Sequence, residues 1–201
     1  MPLVPMSKAL ADLEPHLGAI AAIAVKAWDR YHELPEADRM IFGARERANC
    51  VHAYMVHYAA EYVAVAVGRL RCFERNQMCG VVIDNKYAIR FKKLDEESRS
   101  RNQPSRQVDE FRCQVELDGI DASHHLELGY VLNRPGTKLL DVRLVHPAGD
   151  GVAWAKSIAP AFQDATLRDL FEASEASDVV VPAEIEAKKS AVVLKFEKKD
   201  T

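Results

Sequence analysis

The hydrophobic period of this chain changes once, after Arg75 and Asn76, and that change constrains the fold more than any other feature. Before it, apolar residues recur every three or four positions, at 41, 44, 48, 51, 55, 58 and 62. This spacing places a continuous stripe on one face of a helix. After it, apolar and polar residues alternate in short runs, which is typical of strands. The sequence therefore predicts a helical part followed by a sheet.

Two helices are predicted in the first part of the chain. The first covers 16–33, and the second begins at Pro35 and continues to about Val67, where Gly68 ends it. Proline suits a first helical turn, and Glu36 and Asp38 follow it at the positive end of the helix dipole. We expect the apolar stripe of the second helix to lie in the core.

The second part of the chain contains five candidate strands and one short helix. The helix is expected at about 105–115, with Val108, Phe111 and Val115 facing inward. The links that follow positions 133 and 146 are short and contain proline and glycine, which favours an antiparallel meander. The candidate strands are 79–84, 87–94, 126–133, 139–146 and 152–158.

The predicted fold class is α+β, with N-terminal helices packed on an antiparallel sheet of about five to six strands. A βαβ series is disfavoured because the strands follow one another without crossover helices. The expected divisions are a helical part, 1–75, a sheet with one inserted helix, 76–160, and a C-terminal part, 161–201. The C-terminal part is predicted to form a helix and a lysine-guarded edge strand at 191–198. All three are expected to form one compact domain.

The overall charge and apolar content limit the possible partners. The formal net charge of -3 excludes a uniformly basic protein that coats nucleic acid, but it leaves room for a local basic face. The apolar run 17–25 is about half as long as the ~20 residues that span a bilayer. Asp12 and Glu14 precede it and no cleavage-site pattern follows, so we expect a cytoplasmic protein without a membrane partner.

The cysteines and histidines do not form a familiar metal motif. Cys50, Cys72, Cys79 and Cys113 include no CxxC pair, and we interpret them as reduced thiols that are mostly buried. His57 and Glu61 lie one helical turn apart and could share a metal, but no third ligand lies at a suitable spacing. We therefore expect no bound metal.

Several catalytic and cofactor motifs are absent from the sequence. There is no GxxxxGK[ST], GxGxxG, GxSxG or HExxH, so ATPase, dinucleotide-dependent and common hydrolase functions have no support. We expect no cofactor, and an enzyme is the less favoured class.

A divergent metal-dependent nuclease is one alternative. The hairpin 79–94 after a long helix resembles the start of a PD-(D/E)xK nuclease core, with Asp84 as its first acid and Glu61 as a helix-borne contributor. That resemblance implies a second acid on the following strand, where this chain carries Arg90 and Lys92. An arginine does not bind a metal ion, so such a site would be degenerate.

A cationic segment between positions 90 and 112 is the most distinctive feature of the sequence. Arginine and lysine contact phosphates, and amide side chains read base edges, so the segment is a candidate nucleic-acid site. Acidic residues lie nearby, including Asp95, Glu96 and Glu97. Two alternative interpretations of the segment therefore stay open, a salt-bridged surface and a protein interface. The candidate residues are Arg90, Lys92, Lys93, Arg99, Arg101, Asn102, Gln103, Arg106, Gln107 and Arg112.

Two functional hypotheses follow besides the nuclease. The first is a non-enzymatic protein that contacts DNA or RNA through the cationic segment. The second is a regulatory or antitoxin-like subunit that binds a protein partner through the acidic stretch 172–178 and the edge strand 191–198.

Three segments carry a resemblance to a known group of proteins. YAIRFKKLD at 87–95, RNQPSRQ at 101–107 and LELGYVLN at 126–133 resemble a family of uncharacterised bacterial proteins from mobile elements. That family tends to be encoded beside helix-turn-helix repressors and ImmA-type metallopeptidases. The resemblance covers about 80–160 and implies, by association, a role in phage defence or a toxin–antitoxin module.

Overall fold

A computed structural model describes residues 3–101 and 105–159. All of them belong to the unit Met1–Gln163. The predictions for the C-terminal helix, the acidic stretch 172–178 and the edge strand 191–198 lie outside the described residues, as do Asn102 and Gln103.

The first helix, α1 (Met6–His32), begins well before the predicted residue 16. It continues through Pro15, although proline removes one backbone hydrogen bond from a helix interior. Ala9 and Leu13 precede the proline and are completely buried. Their burial offsets the lost hydrogen bond and extends the helix toward the N-terminus.

The second predicted helix is divided in two. A short helix, α2 (Glu36–Ile41), is capped by Phe42. A long helix, α3 (Ala44–Val65), begins after Gly43. The apolar stripe lies in the core only along the middle of α3, where Val51 and Met55 are completely buried. Ile41, at the predicted start of the stripe, is 78% exposed because the chain turns before α3 begins.

Six strands form one sheet in the order β1-β2-β3-β4-β5-β6. Five of them match the predicted strands, and β1 lies in the part predicted to be helical. The hairpin between β1 and β2 turns through Asn76 and Gln77, which both have positive φ. The strands are β1 (Leu70–Arg75), β2 (Met78–Ile83), β3 (Tyr87–Leu94), β4 (His124–Leu132), β5 (Leu139–Ala148) and β6 (Gly151–Ser157).

The sheet is mixed, which corrects the expectation of an antiparallel sheet. β3 and β4 are parallel and in register from the Tyr87–His124 pair to the Leu94–Val131 pair, and the other neighbouring strands are antiparallel. The connection between β3 and β4 contains the short helix α4 (Arg106–Arg112). A connection of this length can return the chain to the same end of the sheet, as a parallel pair requires.

The two faces of the sheet are covered differently. α1 packs over β4 and β5, and α3 packs over β1, β2 and β3, which together enclose the main core. On the other face Phe111 of α4 packs with Val82 and Ala88 in a smaller cluster. The α+β class predicted from the sequence is confirmed.

Two further observations concern the described residues. None of the helices among them is long and apolar enough to cross a membrane. The four cysteines are free thiols, but Cys72 and Cys113 are exposed and Cys50 and Cys79 are only half-buried. The expectation of mostly buried cysteines is therefore wrong.

Candidate nucleic-acid interface

A cleft of about 860 Å³ opens between the first half of α3 and the carboxyl ends of β3 and β4. Because β3 and β4 are parallel, both strands deliver the chain to this end of the sheet. Arg45 and His52 of α3 line one wall. Lys93 of β3 and Arg134, just after β4, come from the sheet side.

Three lining residues of the cleft belong to the protein core. Met55, Phe91 and Tyr130 are each at most 1% exposed. The charged side chains of the lining are more exposed, so they dominate the surface that a ligand meets.

Cations outnumber acids around the cleft. The six cationic residues that line it are Arg45, Lys92, Lys93, Arg99, Arg101 and Arg134, and the three acidic ones are Asp95, Glu96 and Glu97. Two of the acids are already paired, since Arg99 Nε lies 3.2 Å from Asp95 Oδ2 and Arg99 Nη2 lies 3.1 Å from Glu97 Oε2.

Five of the lining cations form no ion pair with any residue that the structure describes. These are Arg45, Lys92, Lys93, Arg101 and Arg134. An excess of cations in a concave site concentrates positive potential there. The cleft therefore attracts anions.

The two lysines of β3 have depressed pKa values. Burial, together with the charge of Arg90, lowers the pKa of Lys92 to about 8. Burial lowers the pKa of Lys93 as well, and the cations Arg47 and Arg101 lower it further. Both lysines therefore lie where an additional negative charge would be favourable.

Two buried polar groups near the cleft have no hydrogen-bond partner among the residues that the structure describes. They are the Tyr130 hydroxyl and Nε of Arg47 on α3. Burial raises the pKa of Tyr130, so the phenol keeps its proton at neutral pH. The Arg47 guanidinium lies against the turn after β4, where a side chain at Gly136 would collide with it.

Of the candidates chosen from the sequence, Lys92, Lys93, Arg99 and Arg101 line the cleft. Arg90 does not, because it is 1% exposed and donates from Nε to Glu127 Oε1 at 3.0 Å. Its charge is paired with Glu127 in the protein interior, so Arg90 is not part of the cleft.

The three remaining described candidates hold the crossover connection in place. Arg106 pairs with Glu110 at 2.7 Å, and Gln107 donates to the Arg75 carbonyl at 3.0 Å. Arg112 Nε donates to the Gly149 carbonyl at 2.6 Å. None of the three lines the cleft.

The residues suggested for a metal or nuclease site do not gather in one place. His57 Nε2 lies 3.1 Å from Glu61 Oε1, and both side chains are more than half exposed. Asp84 is exposed in the turn before β3, whereas the cleft lies at the other end of that strand. Among residues 3–101 and 105–159, no group of three or more His, Cys, Asp or Glu side chains could hold a metal ion.

Four residues at or beside the cleft were not among the sequence candidates: Arg45, Arg47, Tyr130 and Arg134. Tyr130 was recognised only as part of a strand, and the three arginines belonged to no cationic run. A usable signal was that cations follow Gly43, which interrupts the predicted second helix, and Asn133, which ends a predicted strand.

These features define an α+β protein with a mixed six-stranded sheet and a cationic cleft at the ends of its parallel strands. No family model, no curated protein and no solved structure matches this chain. The resemblance to the mobile-element proteins stays a prediction.

Proposed function

We propose that the protein is a non-enzymatic binding protein that contacts nucleic acid through the cationic cleft. The observation that carries this proposal is the set of five lining cations that form no ion pair with a described residue, Arg45, Lys92, Lys93, Arg101 and Arg134. Unpaired arginines and lysines around a groove are the usual contacts to a phosphate backbone. A role in phage defence or a toxin–antitoxin module is part of the same proposal and comes from the sequence resemblance.

The dimensions of the cleft favour a single strand over a duplex. A volume of about 860 Å³ is typical of a site that encloses a small ligand, so it accommodates one or two nucleotides. Single-strand sites combine a cationic groove with surfaces on which bases pack. The His52 ring on the wall is partly exposed and lies beside Phe91, so it supplies such a surface.

The test is a titration of the protein with mixed-sequence single-stranded and duplex DNA and RNA at two salt concentrations. Each phosphate contact should contribute about 0.7 to the slope of log K against log salt for a single strand. Arg101→Ala and Arg134→Ala should each reduce that slope by about one contact.

Arg106→Ala is the matched control. Arg106 is equally cationic and 92% exposed, but it lies outside the cleft. An Arg106 variant that loses as much affinity as the cleft variants would show that binding depends on overall charge. No detectable binding at about 50 mM salt and micromolar protein would contradict the proposal.

A protein partner is the second candidate, and one observation favours it. Met40 and Ile41 are adjacent on α2 and are 79% and 78% exposed. Large apolar side chains exposed together are common at protein interfaces. A partner that co-purifies with the wild type and is lost from Met40→Ser, in a chain that binds no nucleic acid, would support this alternative.

A further inference from the structure

We infer that the part of the cleft around Tyr130 is a subsite for a terminal phosphate monoester. The groups that would bind this phosphate are the Tyr130 hydroxyl, Lys93 and Arg47. The inference rests on the proposed function and specifies which part of a nucleic acid the cleft holds. The same phosphate chemistry occurs at the end of a strand and in a free mononucleotide, and the experiment below separates these two sources.

The Tyr130 hydroxyl is the first argument for a ligand. Tyr130 is 1% exposed and lines the cleft, and no described residue makes a hydrogen bond to its oxygen. A buried hydroxyl without a partner is destabilising, so native structures rarely contain one unless a ligand or a water completes it. A protonated phenol donates well to a phosphate oxygen.

The cations around Lys93 are the second argument. Lys93 lines the cleft, and Arg47 and Arg101 both lie close enough to it to lower its pKa. Like charges brought together in a partly buried place repel one another, and a bound dianion removes that repulsion. A phosphate monoester carries up to two negative charges near neutral pH.

Arg47 is the third argument. Its guanidinium lies against Gly136, and its Nε is buried with no hydrogen-bond partner among the described residues. A bound phosphate would give this buried donor an acceptor.

The burial of Tyr130 is the reason to expect a terminal phosphate. An internal phosphodiester continues into a nucleotide on both sides, so it needs room on both sides. Met55, Phe91 and Tyr130 all line the cleft and are all buried. We therefore expect a phosphate that reaches the Tyr130 hydroxyl to continue toward solvent on one side only.

The experiment measures the affinity of the full chain for short oligonucleotides that differ only in their ends. The probes are one sequence with a 5′-phosphate, with a 3′-phosphate and with no terminal phosphate, together with adenosine monophosphate and adenosine. We expect a phosphorylated probe to bind about tenfold more tightly than its unphosphorylated match.

Tyr130→Phe is the diagnostic variant because it removes one oxygen that has no hydrogen-bond partner in the described part of the chain. It should melt at or above the wild-type temperature and lose most of the preference for a terminal phosphate. Lys93→Met should lose the same preference. The control is Tyr87→Phe, since the Tyr87 hydroxyl donates to Asp12 Oδ2 at 2.8 Å and does not line the cleft. It should keep the full preference.

The outcomes separate this inference from the proposed function. Equal binding of phosphorylated and unphosphorylated strands overturns the subsite and leaves nucleic-acid binding intact. Tight binding of adenosine monophosphate, with no additional affinity from a strand, supports the subsite and contradicts the proposed function. An undiminished preference in Tyr130→Phe overturns the subsite, and no binding by any probe overturns both.

Discussion

Arg90 of β3 and Glu127 of β4 are register partners in the parallel strand pair, and their side chains form an ion pair that is about 1% exposed. Arg90 Nε donates to Glu127 Oε1 at 3.0 Å, and Ser100 Oγ donates to the same oxygen at 3.1 Å. The Arg90 guanidinium also lies 4.5 Å from the centre of the Phe111 ring. The pair therefore links the two parallel strands to the crossover connection.

Replacing one member of this pair should destabilise the fold. Arg90→Met leaves the Glu127 carboxylate buried without its partner, which typically costs about 3–5 kcal/mol of unfolding free energy. Urea denaturation measures this loss. The double variant Arg90→Met with Glu127→Leu should recover most of it, because no charge is then left buried.

Arg106→Met is the control for that experiment, since the Arg106–Glu110 pair is exposed on the arginine side and should add little to stability. If Arg90→Met were as stable as the wild type while binding less nucleic acid, Arg90 would be a ligand contact rather than a structural residue.

A second substitution tests the packing of α3 against the sheet. Met55 is completely buried, so Met55→Asp should cost at least about 3 kcal/mol through lost packing and burial of a carboxylate. Ala53→Asp places the same charge on an exposed position of the same helix and should have a small effect. An unchanged melting temperature for Met55→Asp would show that this face of α3 is not packed in the core.

Local patterns were sufficient to predict most of the elements. Alternation identified the strands at 79–84 and 87–94, and helical spacing identified the buried positions Val51 and Met55. β1 was missed because Leu70–Arg75 is short, carries three charged residues and directly follows a helix. Its strand conformation depends on pairing with β2, which no local pattern reports.

The long-range relationships could not be predicted in the same way. Arg90 looks like a surface residue in sequence, and its buried partner Glu127 is 37 positions away. The parallel pairing that aligns them depends on the path of the crossover connection. The cleft likewise depends on long-range contacts, since Arg45, Lys93 and Arg134 come from three separate segments. One continuous basic run in the sequence therefore contains only part of the cleft.

The pKa of Lys92 predicts a pH dependence of binding. In the folded protein this pKa is lowered to about 8, so Lys92 is charged at pH 7 and loses its proton as the pH rises through 8. As the pH rises from 7 to 9, affinity for a single strand should fall by about fivefold, as expected for the loss of one ionic contact of roughly 1 kcal/mol. Fluorescence anisotropy at several pH values and constant ionic strength measures this change.

The free energy of unfolding should change in the opposite direction to the affinity, since it should rise with pH. The unfolded chain keeps the ordinary lysine pKa of about 10.5. Between about pH 8 and 10.5 the unfolded state therefore binds more protons than the folded state, and the contribution of Lys92 to stability rises with pH. The Lys92→Met variant should lack both changes. A wild-type affinity that stays constant from pH 7 to 9 would contradict the role of Lys92 in the cleft.

The contact between Gly136 and Arg47 can be tested with a matched pair of glycine variants. Gly136 and Gly119 have nearly the same left-handed backbone, with φ of +74° and +79°. Alanine at either position should therefore cost about 1–2 kcal/mol of stability through backbone strain. Only Gly136→Ala also pushes the Arg47 guanidinium aside, because a side chain at Gly119 would meet no atom within 4 Å. We expect both variants to lose similar stability in urea denaturation, but only Gly136→Ala to lose affinity for a strand with a terminal phosphate, by about tenfold. Equal affinities for the two variants would show that Arg47 does not take part in binding.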